Sequence, residues 1–307
     1  MTSLIRNENM SNYEDRVLKL IMMSDIHLFP KGEIRKGLDT AGRFAEAIGD
    51  ANRLYSDADL CVFAGDIADS AEPEAYEQFD QLRVGLPVPQ RVMMGNHDDR
   101  NVYLASAESP MTDENGFVQG FEDIKGHRIL MLDTSEPDMH IRYSVLCEKR
   151  LKWVGERLAE AKALGLKVIL LLHHNPCAFQ MPVDTYRLSE PDRLMKVLKE
   201  SGAQIIQILA GHCHITTAGS WGGYPCATIK GNQHSVEPYF RGRTEQQACY
   251  SSPAQFAVIV SDTVNCAVHF HDYLNNATMM DPSLFPNKAN QLFEEVDRDY
   301  PFVASEN

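Results

Sequence analysis

Five times along this 307-residue chain a short apolar run ends directly before a cluster of Asp, His or Asn. The clusters are Asp25-Ile26-His27, Gly65-Asp66, Gly95-Asn96-His97-Asp98, His173-His174-Asn175-Pro176 and Gly211-His212-Cys213-His214. Imidazole suits Fe, Mn, Zn or Co, while carboxylate and the amide oxygen of Asn suit harder ions such as Mn or Fe. No cluster supplies a thiolate set, and mixed N/O ligation with open positions points to catalysis rather than to structural zinc. Taken singly, each cluster has a plainer reading. Asp25 and His27 fit a surface turn, Gly-Asp is a common turn pair, and one of His173 and His174 can serve only as a hydrogen-bonding residue. Taken together they track strand ends. In layered α/β folds the loops at strand C-terminal ends converge on one sheet edge, where ligands bind.

The elements that must carry these clusters follow from hydrophobic periodicity. Val17 to Met23 reads as a strand, and Leu38 to Tyr55 as a helix with Phe44, Ala47, Ile48, Ala51 and Leu54 on one face. Asp59 to Ala64 is a short buried strand, Glu72 to Leu82 a polar helix and Gln90 to Met94 a strand. Gly116 to Gly120 and His127 to Asp133 read as strands, with Thr134 to Ser144 a polar loop and Glu148 to Leu164 an amphipathic helix. Lys167 to Leu172 and Gln204 to Ala210 read as strands around a helix near Pro191 to Glu200. The remaining third is mostly β, over Ile215 to Ser220, Pro225 to Ile229, Gln255 to Ser261 and Asn265 to His271. Residues 1–275 are expected to form a single catalytic domain, and the Pro-, Asn- and acid-rich residues 276–307 a peripheral tail.

Bulk properties narrow the function. A formal net charge of −14 and a pI near 5.2 argue against extended nucleic acid, which demands a basic footprint. A small anionic substrate stays open, because bound cations reverse the local sign. Residues 1–19 lack the apolar core of a signal peptide, and the longest apolar run, Val168 to Leu172, is strand-sized, far short of a membrane span. Seven cysteines without a CxxC pair read as reduced thiols of a cytoplasmic protein.

The ordered set of clusters resembles the calcineurin-like metallophosphoesterase superfamily, whose blocks are D-x-H, G-D-x-x-D, G-N-H-D/E, H and G-H-x-H. All are present here, as Asp25-Ile26-His27, Gly65-Asp66-Ile67-Ala68-Asp69, Gly95-Asn96-His97-Asp98, His173 and Gly211-His212-Cys213-His214. The text His173-His174-Asn175-Pro176 is most similar to class III cyclic nucleotide phosphodiesterases and bacterial glycerophosphodiesterases. The resemblance spans Leu20 to Tyr273 and fades in Phe179 to Tyr186 and Ser235 to Ser252. It implies a four-layer αββα sandwich, two mixed β-sheets flanked by helices. It also implies two metal ions, Fe, Mn, Zn or Co, with Mn or Fe favoured. Asp25, His27, Asp66 and His214 would ligate one; Asp66, Asn96, His173 and His212 the other, with Asp66 bridging. His97 is implied as the catalytic residue outside the ligand set, donating to the phosphoryl group or protonating the leaving alkoxide. Two metals about 3.5–4 Å apart can hold a hydroxide at neutral pH, which would attack phosphorus in line. Asp69, Asp98 and His174 are candidates for orienting ligand imidazoles, Asp98 foremost. His127, His140, His234, His269 and His271 are given no role, and Cys213 is expected to face away and pack.

Charge arithmetic favours a diester. Two divalent ions against Asp25 and Asp66 leave a site near +2, which suits a singly charged phosphodiester better than a monoester. Arg100 is the basic residue adjoining a ligand block, either facing the site or solvated. A 3′,5′-cyclic nucleotide such as cAMP is the expected substrate, with a glycerophosphodiester or a 2′,3′-cyclic nucleotide as alternatives. A phosphomonoesterase and a catalytically silent metal-binding scaffold stand further off. Substrate choice would come from Pro30 to Lys36, Phe179 to Tyr186 and Ser235 to Ser252. The last of these, with Tyr239, Phe240 and Arg241, could instead form a homo-oligomer contact, in a dimer or higher.

Overall fold

In the computed structural model, which describes residues 16–136, 144–238, 240, 249–251, 253–262, 264–275 and 278, two sheets carry the clusters. The first has the order β13-β12-β1-β2-β3, from Cys266–Tyr273, Ala254–Ser261, Leu18–Met23, Leu60–Ala64 and Gln90–Met93. The second has the order β4-β5-β6-β7-β9-β8, from Gly120–Ile124, His127–Leu132, Lys167–Leu172, Gln204–Ala210, Tyr224–Thr228 and Thr217–Trp221. A small hairpin pairs β10, Ser235–Val236, with β11, Cys249–Tyr250. Both large sheets are mixed: β1, β2 and β3 run parallel while β12 and β13 are antiparallel, and β5, β6, β7 and β9 run parallel between antiparallel edges.

Period-two alternation divides each strand between two cores. Leu18, Leu20 and Met22 of β1 meet Ile129, Met131, Ile169 and Leu171 of the second sheet in the central layer. Ile21 and Met23 point the other way, onto Phe44, Ile48, Tyr76 and Phe79. Those come from α1, Thr40–Tyr55, and α2, Pro73–Arg83. Leu130, Leu170 and Leu172 pack on Leu151, Val154, Leu158, Leu194 and Leu198, from α4, Glu148–Ala163, and α5, Pro191–Ser201. The result is helix, sheet, sheet, helix, and residues 18–275 gather into one compact unit. No helix among the described residues is long and apolar enough to cross a membrane.

One expectation is corrected and one element is added. The strand expected over Gly116 to Gly120 begins only at Gly120, as β4; the chain before it turns, because Asp113 Oδ1 accepts from the backbone N–H groups of Asn115 and Phe117, each at 2.9 Å. A short helix α3, Arg100–Ser106, follows the third cluster, where Asp99 caps it through Asn101 N and Val102 N. Its seven residues are too few for periodicity to reveal. Residues 137–143 of the expected polar loop, including His140, and most of Ser235 to Ser252 and of the expected tail, lie outside the described residues.

Candidate functional site

The parallel strands β1, β2, β3, β6 and β7 each end in one of the five clusters, and the tertiary structure brings these together. Groups of ligand-type atoms lying within 4.8 Å of one another are Asp25 with His27 and His214, Asp25 with Asp66 and His173, His27 with Asp66 and His97, and His173 with His174 and His212. Asn96 follows Gly95, where an added Cβ would lie 2.1 Å from Asp66 Oδ1. Glycine is therefore required at that close approach. Asp25, Asp66 and His173 are buried to within 1 % exposure, so two carboxylates sit out of water with little beyond imidazoles and N–H groups around them. Carboxylates buried that deeply need positive charge beside them.

Five of these residues hold backbone conformations that L side chains rarely adopt. Asp25, His27, Asp66, His212 and His214 all have φ between 50° and 66°. Each such residue costs on the order of 1–3 kcal/mol and persists only where the surroundings over-determine it. The fasteners are visible. Asp25 N donates to Gly65 O and His27 N to Asp66 O, at 3.1 and 2.8 Å. His212 N donates to both Asp25 carboxylate oxygens at 3.0 Å. His97 N donates to Asp66 Oδ1 at 2.9 Å.

Hydrogen bonds on one ring nitrogen fix the tautomer of three imidazoles. His27 Nδ1 donates to Asp69 Oδ1 at 3.0 Å, His173 Nδ1 to Ala64 O at 2.8 Å and His214 Nδ1 to His234 O at 2.9 Å. Each neutral ring then presents a lone pair on Nε2. Those atoms lie 3.4, 3.3 and 3.4 Å from Asp66 Oδ2, Asp66 Oδ2 and Asp25 Oδ1. Lone pairs facing carboxylate oxygens repel unless a proton or cation lies between. Nε2 of His27, His173 and His212, and Oδ1 of Asn96, are buried without a hydrogen-bond partner. This donor set fits a cation centre: lone pairs aimed inward, opposite nitrogens anchored outward.

The electrostatics agree. Burial disfavours a charged His173, yet Asp66 holds its pKa up to about 9, so without a cation a proton occupies Nε2 opposite Asp66, and a bound cation would take the place of that proton. Burial works against an ionised Asp66 too, and His173 nevertheless keeps it well below the usual carboxylate range. His212 and His214 are driven down to about 3, chiefly by burial, which leaves them neutral and able to ligate.

The neighbours differ in role from what their types suggest. Asp69 orients His27 as expected, and also accepts from Lys36 Nζ at 2.8 Å and Gln233 Nε2 at 3.0 Å. Asp98 makes no hydrogen bond to an imidazole among the described residues. It accepts from the backbone N–H groups of Ile67, Ala68 and Gly95 and from Tyr76 OH, so it ties together the loops after β2 and β3. Burial, then the nearby Asp66, pushes its pKa up to about 6. His174 donates or accepts at Thr134 Oγ1, 2.8 Å away, and props His212 by ring contact at 4.5 Å rather than by a hydrogen bond. Arg100 neither faces the cluster nor lies solvated: its Nε donates to the buried Asp133 at 2.7 Å, which demands a counter-ion. Cys213 packs away with Met181 and Ile215.

Sequence reasoning named Lys36 only within a substrate-choice segment and gave no role to Gln233 and His234, all of which border the cluster. For the last two the signal was present, because β9 also ends shortly before a polar cluster, Gly231-Asn232-Gln233-His234. Asn232 N donates to Ser24 O at 3.2 Å, and Asn232 Nδ2 to Ile26 O at 3.0 Å, so this sixth loop is fastened to the first. We expect Asp69→Asn to lower metal affinity by about 10- to 100-fold through a looser His27. Calorimetric titration with Mn²⁺ reads this, and an unchanged affinity would show that Asp69 does not hold the ring.

The comparisons with known proteins point the same way. The family model described as calcineurin-like phosphoesterase matches residues 18–216. A "probable cyclic nucleotide phosphodiesterase" of Rhodopseudomonas palustris is 31% identical over 220 residues, 71% of this chain and 80% of the relative. A "cAMP/cGMP dual specificity phosphodiesterase" of Mycobacterium tuberculosis is 31% identical over 245 residues, 75% of this chain and 74% of the relative. Among solved structures, a dimetal phosphatase from Danio rerio shares the fold with a TM-score of 0.58 at 15% identity, over 83% of this chain and 99% of that one. With the family model matched across the strands that carry all five clusters, this chain belongs to the calcineurin-like phosphoesterase family and is a hydrolase of phosphoric esters.

Proposed function

We propose that this chain is a dinuclear phosphodiesterase acting on a small phosphodiester, with a 3′,5′-cyclic nucleotide such as cAMP as the favoured substrate. Asp25, His27, Asp66 and His214 would hold one cation and Asp66, Asn96, His173 and His212 the other, with Asp66 shared. The carrying observation is the set of inward lone pairs left by three anchored imidazoles, 3.3–3.4 Å from buried carboxylates. Mixed imidazole, carboxylate and amide donors support Mn or Fe. When bound, the cations supply Lewis-acid charge neutralisation and lower the pKa of water to near neutrality.

The chain's own residues account for the rest. His97 Nδ1 donates to Asp69 O at 2.6 Å, so Nε2 is the free ring nitrogen; it would pass a proton to a leaving alkoxide from the doubly protonated ring, which then returns to the neutral Nδ1–H form. Charge supports a diester. Lys36 is offset by Asp69 and Arg100 by Asp133, so neither of these two cations is left to balance a monoester's second charge. The relatives' names support the cyclic nucleotide, and the seven unpaired cysteines support a reducing, cytoplasmic setting.

The test is kcat/KM with Mn²⁺ for bis-p-nitrophenyl phosphate, p-nitrophenyl phosphate, cAMP, 2′,3′-cAMP and glycerophosphocholine. We expect the diesters to exceed the monoester, with cAMP first among the natural ones. A clear preference for p-nitrophenyl phosphate would overturn the diesterase reading. Metal analysis of active protein at fewer than about one ion per chain would overturn the dinuclear one.

A further inference from the structure

His234 lies against the cluster without belonging to it. Its ring stacks on that of His214, with centroids 4.2 Å apart and planes 22° from parallel. Its carbonyl anchors His214 Nδ1. The adjacent Gln233 is 3 % exposed, and its amide orientation is determined by its partners. Asp69 accepts from His27 and Lys36 on the same carboxylate and can offer Gln233 only lone pairs. Gln233 Nε2 must therefore face Asp69, which turns Gln233 Oε1 to His234 Nδ1 at 2.9 Å. An amide oxygen accepts only, so His234 Nδ1 carries the hydrogen. The opposite nitrogen, Nε2, is then a bare lone pair. It makes no hydrogen bond among the described residues and is not among the atoms sealed from solvent.

A hydrogen-bond acceptor is thus held rigidly beside Asp25, His27 and His214, on the outer face of the His214 ring. We propose that His234 Nε2 accepts a hydrogen bond from a substrate hydroxyl on the carbon next to the ester-bearing carbon, and so selects hydroxylated phosphodiesters. Two substrate classes carry that group: the 2′-hydroxyl of a 3′,5′-cyclic ribonucleotide, and the central hydroxyl of a glycerophosphodiester. This inference rests on the phosphodiesterase reading above. It adds a residue that the charge argument does not supply, since charge cannot tell one diester from another.

The experiment compares kcat/KM for cAMP against 2′-deoxy-cAMP, and for glycerophosphocholine against its analogue lacking the central hydroxyl. Wild-type enzyme, His234→Phe and His234→Gln are each assayed at equal Mn²⁺ content. Wild type is expected to favour the hydroxylated member by about tenfold, the effect of one neutral hydrogen bond. His234→Phe keeps a ring on His214 but has no acceptor, and its ratio is expected to fall to about one, chiefly through KM for the hydroxylated member. His234→Gln restores an acceptor and is expected to recover part of the ratio. The arm that shows the effect identifies which hydroxyl is read. A ratio equal in wild type and His234→Phe overturns the proposal. So does a wild type that hydrolyses bis-p-nitrophenyl phosphate but neither hydroxylated substrate. A wild type inactive on bis-p-nitrophenyl phosphate as well would instead overturn the phosphodiesterase reading itself.

Discussion

Asp66→Asn is expected to lower kcat/KM for bis-p-nitrophenyl phosphate by about 10³-fold or more, equivalent to about 4 kcal/mol in the barrier. The substitution removes a charge but leaves the side chain its size and shape. The amide oxygen it introduces could still accept from His97 N, as Asp66 Oδ1 does at 2.9 Å, so the loop has reason to keep its path. What is lost is the anion facing both His27 Nε2 and His173 Nε2, the one side chain proposed to serve both cations. Metal content per chain should fall with activity. The metal-free variant should still unfold cooperatively, with a melting temperature lowered by the loss of the Asp66–His173 pair. Activity within tenfold of wild type would sink the assignment of Asp66 as the shared ligand.

The second large effect is on stability. Asp98→Ala leaves three buried backbone N–H groups and Tyr76 OH without their acceptor. Each unmatched buried donor costs about 1–3 kcal/mol, and the costs overlap. We expect a loss of about 3 kcal/mol or more, a fall of roughly 5 °C or more in Tm for a domain of this size. Thermal unfolding of metal-free protein measures it directly. Because Asp98 ties Ile67 and Ala68 to Gly95, activity should fall as well, as Asp66 and Asn96 lose their relative placement. The pair of variants separates two jobs carried by one type of side chain. Asp66→Asn should disable without unfolding, and Asp98→Ala should destabilise first. A variant Asp98→Ala with unchanged Tm would show that the loops are held by something else.

The clusters themselves were legible because their logic is local. An apolar strand ending in Asp, His or Asn is written in consecutive residues, and β1, β2, β3, β6 and β7 are short runs with little else they could form. The helix α1 was equally legible, since Phe44, Ala47, Ile48 and Ala51 repeat at helical spacing and are buried together. Where a local conformation depended on one capping side chain, legibility failed. Asp99 starts α3 and Asp113 turns the chain after Thr112, and neither leaves a periodic trace.

By itself the sequence determined the composition of the site: which residue types, in which order, at the ends of which strands. The fold class came through the family resemblance those blocks carry, with which the alternation of strand and helix agrees. Only the tertiary structure decided what the neighbours of that set do. Side-chain roles depend on partners far away in the chain. Asp98 lies next to a histidine in sequence but serves backbone N–H groups some thirty residues earlier, at Ile67 and Ala68. Arg100 adjoins a metal-type cluster but answers the buried charge of Asp133. The left-handed backbone at Asp25, His27, Asp66, His212 and His214 is likewise a tertiary outcome, since Asp and His tolerate that conformation more often than other residues but do not require it. His234 gained a place beside the site only because Asn232 binds the sixth loop to the first. The residue types are local choices, whereas hydrogen-bond direction, tautomer and charge balance are set by whatever the fold places opposite them.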